Sequence, residues 1–115
     1  MTNAASAQST TKKVKKLSET FQHDGYTLTH SVTVKYKGSK FIDVTATNIS
    51  IDSELLPIVY KITAETKNVA TCTDKKVTQS YTIDVSSYVG VKYGIVKIGT
   101  SKHDGNVYFH ASKWL

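Results

Sequence analysis

Residues 26–36 read Tyr26-Thr27-Leu28-Thr29-His30-Ser31-Val32-Thr33-Val34-Lys35-Tyr36. Tyr26, Leu28, His30, Val32, Val34 and Tyr36 fall on one face of an extended chain, and threonine, serine and lysine fall on the other. A period of two is the signature of a β-strand with one face buried. The same alternation recurs to the C-terminus. Composition agrees with it: 12 valines, 8 isoleucines, 16 threonines and 7 tyrosines stand against 5 leucines and 3 glutamates, a balance that suits pleated surfaces better than helices.

Working outward, strands are expected at about 16–22, 26–36, 40–51, 57–66, 69–73, 76–85, 91–98 and 107–115. Asp24-Gly25 and Asp104-Gly105 are hairpin dipeptides that tolerate positive φ, and Lys37-Gly38-Ser39 and Lys67-Asn68 can turn the chain as well. In the third strand the apolar row passes from Ile42, Val44 and Ala46 to Ile49 and Ile51, which predicts a β-bulge near Thr47-Asn48. The connections 52–57 and 86–90 are long enough to cross between sheets. The expected fold is all-β: an antiparallel two-sheet β-sandwich of seven to eight short strands at 16–115, preceded by a disordered basic tail at 1–15. Its candidate core is Phe21, Leu28, Val32, Val34, Ile42, Val44, Ile58, Tyr60, Ile62, Ile83, Val85, Ile95, Val107 and Phe109.

The chain has 115 residues, enough for one domain with a core of its own. All fifteen basic residues are lysine. Without arginine's planar fork, specific nucleic-acid recognition would rest on point charges alone, so that class is set aside. The single cysteine, Cys72, permits no internal disulfide, and its strand neighbours Thr71 and Thr73 suggest a small buried hydrophobe rather than a nucleophile. No apolar run exceeds Leu55–Tyr60, far short of the roughly 18 residues of a spanning helix. The chain is therefore expected not to be transmembrane.

The formal charge of +6 is uneven. Lys12, Lys13, Lys15 and Lys16 make the tail basic, and a basic tail attracts polyanions through salt-sensitive contacts. Within that tail, Ala5-Ser6-Ala7 has the small-x-small pattern of a signal-peptidase site, which predicts a longer precursor and a secreted or cell-surface protein. The lysine bias fits an AT-rich bacterial genome.

Chemistry-bearing residues are sparse. His23-Asp24-Gly25 and His103-Asp104-Gly105 repeat one tripeptide; two such turns brought together would set two imidazoles beside two carboxylates, the donors of a transition-metal site. Spacing alone does not join them, and the sequence implies no metal, no cofactor and no catalytic residue. On the last expected strand, Tyr108, His110 and Trp114 alternate with Val107, Phe109 and Ala111. An exposed row of this kind offers rigid aromatic contact area to a partner. Together these features predict a small secreted bacterial β-sandwich protein, not an enzyme, that binds a protein or a cell-envelope polymer through Tyr108, His110 and Trp114. Its tail adds attraction to anionic surfaces. A cationic antibacterial or toxin-like effector and a phage or structural assembly subunit are the competing expectations.

Overall fold

A computed structural model of the chain describes residues 11–115. The Ala5-Ser6-Ala7 pattern and most of the polar N-terminal stretch lie outside the described residues. Six strands follow in order: β1 (Lys13–His23), β2 (Tyr26–Lys37), β3 (Lys40–Ser53), β4 (Ile58–Cys72), β5 (Lys76–Val91) and β6 (Gly94–His110), with a single helical turn, α1 (Ala111–Trp114), at the end. They form two three-stranded antiparallel sheets, ordered β1-β2-β3 and β4-β5-β6.

The count is six rather than seven or eight because long strands run on where breaks were expected, through a bulge in β4 and in unbroken register at Asp104-Gly105 in β6. Lys67-Asn68 lies inside β4, and Asp104-Gly105 lies inside β6 opposite Thr82 and Tyr81. Segment 86–90 likewise continues β5; the one crossing between sheets is at 54–57, where the Leu56–Pro57 peptide is cis. The Asp24-Gly25 and Gly38-Ser39 hairpins form where expected, pairing His23 with Tyr26 and Lys37 with Lys40. Gly25 has φ +92°, and a side chain there would also collide with the Tyr60 ring.

The bulges decide which residues face inward. In β3 the register against β2 slips twice, leaving Thr45 and then Ile42 as the extra residues, not Thr47 or Asn48. Phe41 consequently takes the inner position and is buried, while Ile42 is exposed. Threonines occupy extra positions where the ladder is interrupted. Thr45 Oγ1 donates to the Thr33 carbonyl and Thr66 Oγ1 to the Thr82 carbonyl, so side chains supply hydrogen bonds to backbone acceptors near the breaks.

The inner rows of the two sheets meet in two apolar clusters. One joins Leu17, Val32, Val34 and Phe41 to Val77, Val107, Phe109 and Ala111. The other joins Tyr26, Leu28 and Ile49 to Ile83 and Val85, with Tyr60 and Ile62 packed against it. Phe21 and Ile95, expected in the core, are exposed.

The molecule is long, 73 × 22 × 19 Å, because its strands run to 17 residues, and the second sheet also outruns the first. The first sheet ends at the row His23, Tyr26 and Ser53, and Ser53 reaches the second sheet only at Tyr60, through its Oγ. Past Tyr60, Ser87 and Gly99, four β5–β6 pairs continue, Tyr88–Lys97, Val89–Val96, Gly90–Ile95 and Val91–Gly94, with Val59 and Ile58 of β4 beside the first two. At about 3.4 Å per residue this overhang projects roughly 13 Å beyond the first sheet.

Candidate functional site

Between the two apolar clusters lies a polar layer. His30 replaces an aliphatic residue between Leu28 and Val32 on β2, and Gln79 does the same between Val77 and Ile83 on β5; both are fully buried. The Gln79 amide nitrogen donates to Thr47 Oγ1 at 2.5 Å, to Asn68 Oδ1 at 3.1 Å and to the Asn48 carbonyl at 3.3 Å. With its nitrogen facing three acceptors, its oxygen is the atom turned to His30, at 3.1 Å from Nδ1. A carbonyl oxygen only accepts, so His30 carries its proton on Nδ1. Burial depresses the basicity of His30; the Gln79 bond opposes the shift, and the nearby His23 and His103 add to it. The layer ties β2 and β3 of one sheet to β4 and β5 of the other.

A second group of rings closes the same inter-sheet space where the first sheet ends. His103, on the inner row of β6, comes within 4.7 Å of His23, centroid to centroid. The repeated tripeptides thus do bring their imidazoles together. Tyr26 stacks on His23 at 5.1 Å and shares a 2.6 Å hydrogen bond with His103 Nε2. The carboxylates do not join them: Asp24 is in the turn and Asp104 is exposed. Among the described residues no three histidine, cysteine, aspartate or glutamate side chains gather as a metal-holding group. Burial, and then the neighbouring His23, lower the basicity of His103. Burial and Tyr60 raise the Tyr26 phenol, which stays protonated at neutral pH.

The lowered histidines make stability fall in acid. An imidazole in the unfolded chain takes its proton near 6.5, whereas His30 and His103 take theirs only at lower pH in the folded state. Below 6.5 the unfolded state therefore binds more protons, and stability drops until the folded imidazoles are charged as well; above it these groups are neutral in both states and contribute no slope. Melting temperatures between about pH 7.5 and pH 5 are expected to fall by several degrees. His103→Gln, which can still bond Tyr26, flattens the slope; an unchanged slope in that variant would remove His103 from the effect.

The residues singled out as a contact face do not form one row. β6 ends at His110, and the following residues turn into α1. Tyr108 is half exposed, with Lys76 Nζ 5.1 Å from its ring centre, and His110 is exposed. Trp114 instead leans on the core residue Phe109 at 6.1 Å, with its indole nitrogen buried and unpartnered. The C-terminus is held to β1 by Lys15 Nζ on the Trp114 carbonyl at 2.7 Å and by the Lys113–Glu19 ion pair at 2.8 Å. Lys13, Lys15 and Lys16 thus stand on β1 rather than in a loose tail, and Lys12 precedes it; all four are exposed. Cys72 packs against the first cluster, and burial, with Asp43 nearby, raises its thiol. Nothing there favours a thiolate.

The opposite end carries the larger accessible apolar surface. Every residue from Gly90 to Lys102 is exposed, including Tyr93 at 90%, Ile95 at 73% and Ile98 at 55%. The register assigns Val59, Tyr88 and Ile95 to the outer face of the overhang, where with Lys61 and Gly90 they line an open groove. It assigns Ile58, Val89, Val91 and Val96 to the inner face, which the first sheet no longer covers. Leu55 and Leu56 are exposed just before β4. The alternation places Ile95 in the core, because it cannot reveal where the covering sheet stops. Comparison with protein-family models, with curated proteins and with solved structures finds no match for the chain.

Proposed function

We propose that the protein is an exported bacterial β-sandwich module that acts by non-covalent binding at a cell envelope, with the overhanging end of β4-β5-β6 as its contact surface. The observation that carries this reading is an apolar strand end exposed on both faces. Contiguous exposed apolar surface of this kind marks an interaction site more often than scattered single residues do. Lys61, Lys92 and Lys97 border it, and no acid lies between Asp84 and Asp104, so the partner surface is apolar with negative charge at its margin. The lysines at 12, 13, 15 and 16 and the exposed Tyr108 and His110 occupy the other end, where they add attraction to polyanions and a smaller aromatic surface. Export draws its support from Ala5-Ser6-Ala7, and a single unpaired cysteine is compatible with it.

The test is sedimentation with isolated Gram-positive envelopes. Wild-type protein is expected to pellet at low salt and Ile95→Asp to stay in solution with an unchanged melting temperature, since Ile95 touches no core cluster. Wild-type protein left in the supernatant would sink the reading. A cationic antibacterial effector is the second reading, favoured by apolar and basic groups sharing one end; growth inhibition by wild type but not by Ile95→Asp would select it.

A further inference from the structure

Resting on that binding reading, we infer that the overhang inserts into the interfacial region of an anionic lipid bilayer. Three features fit that occupant. The hairpin end is a narrow projection, apolar on both faces, as an element entering a medium that surrounds it must be; a protein groove would ask for one face only. Its turn carries Tyr93, almost fully exposed, next to Lys92, whose ammonium lies 5.4 Å from the Tyr93 ring centre. Aromatic rings with a polar tip settle at headgroup depth, and lysine stems run along apolar surface while their charge stays in water. Finally, the charge at this end is of one sign. Lys97 stands opposite Tyr88, Lys61 opposite Ser86 and Lys92 in the turn, whereas Lys102 lies opposite Asp84, below the overhang; the nearest acid on the β3–β4 connection, Glu54, is held by Thr27 at 2.8 Å and by Gln22.

The same charge argues against a second copy as the occupant. Pairing two tips would set lysine against lysine across a new low-dielectric contact, whereas phosphate headgroups neutralise them. Insertion is interfacial rather than spanning: an overhang of about 13 Å is less than half of a hydrocarbon core of roughly 30 Å. No helix among the described residues is long and apolar enough to cross a membrane.

The experiment is co-sedimentation of the full chain with vesicles of phosphatidylcholine alone and of phosphatidylcholine with phosphatidylglycerol, run beside isolated envelopes. The Trp114 indole is at the far end and serves as a folding control, not as a binding signal. Wild-type protein is expected to pellet with the anionic vesicles and not with the neutral ones. Lys92→Gln with Lys97→Gln lowers partitioning about thirtyfold, each lysine near an anionic surface being worth about fivefold. Tyr93→Asp abolishes pelleting while the melting temperature holds. Failure to pellet with anionic vesicles, or wild-type partitioning by Tyr93→Asp, overturns the inference. If the protein meanwhile pellets with envelopes through Ile95, the binding reading survives and the occupant is a protein or polymer. Concentration-dependent dimerisation through the tip overturns it in favour of a second copy.

Discussion

Gln79→Ala is expected to lower the unfolding free energy by about 3 kcal/mol, and the melting temperature by roughly 15 °C. The amide makes four contacts, to His30, Thr47, Asn68 and the Asn48 carbonyl. Removing it strands the buried His30 Nδ1–H and takes a donor from three oxygens. Leaving such partners unpaired costs more than forming the bonds gained. Gln79→Met separates this from a volume effect: it fills the space but supplies neither donor nor acceptor, so it recovers less than half of the loss. Combining Gln79→Met with His30→Leu should be milder than the sum of the two single changes by more than about 1 kcal/mol, because both sides of the pair are then apolar. Strict additivity by denaturant titration would show that His30 and Gln79 do not depend on each other.

The polar layer also explains what was legible in the chain. The alternation at Tyr26–Tyr36 and the turns at Asp24-Gly25 and Gly38-Ser39 are local properties, written in neighbouring residues, and they place β1, β2 and β3 correctly. His30 stands out as a polar residue in an apolar row, but its partner lies 49 positions away and Gln79 has no local mark. Register slips at Thr45 and Ile42 exchanged Ile42 for Phe41 in the core because a bulge costs the sequence nothing visible. The meeting of His23 with His103 depends on how two sheets stack, which no spacing encodes. The overhang is the most instructive case. Ile95 and Val96 look like any core strand residues, and only the length of the first sheet decides that they meet solvent.

That difference between Phe109 and Ile95 yields the second large effect. Phe109→Ala is expected to cost about 3–5 kcal/mol, the usual range for deleting a buried aromatic ring. Phe109 is fully buried between Val77 and the residues of the first cluster, so neighbours on both sheets hold the cavity open. Its ring also supports Trp114, and its loss should expose the indole and shift the tryptophan emission to longer wavelength before unfolding begins. Ile95→Ala, a comparable deletion of apolar atoms on the same strand, is expected to change stability by less than about 0.5 kcal/mol, because Ile95 is already in water. Urea midpoints measured side by side decide between a strand end that serves the fold and one that serves a partner. If Ile95→Ala cost as much as Phe109→Ala, the overhang would be part of the folded core, and its apolar faces would need no occupant.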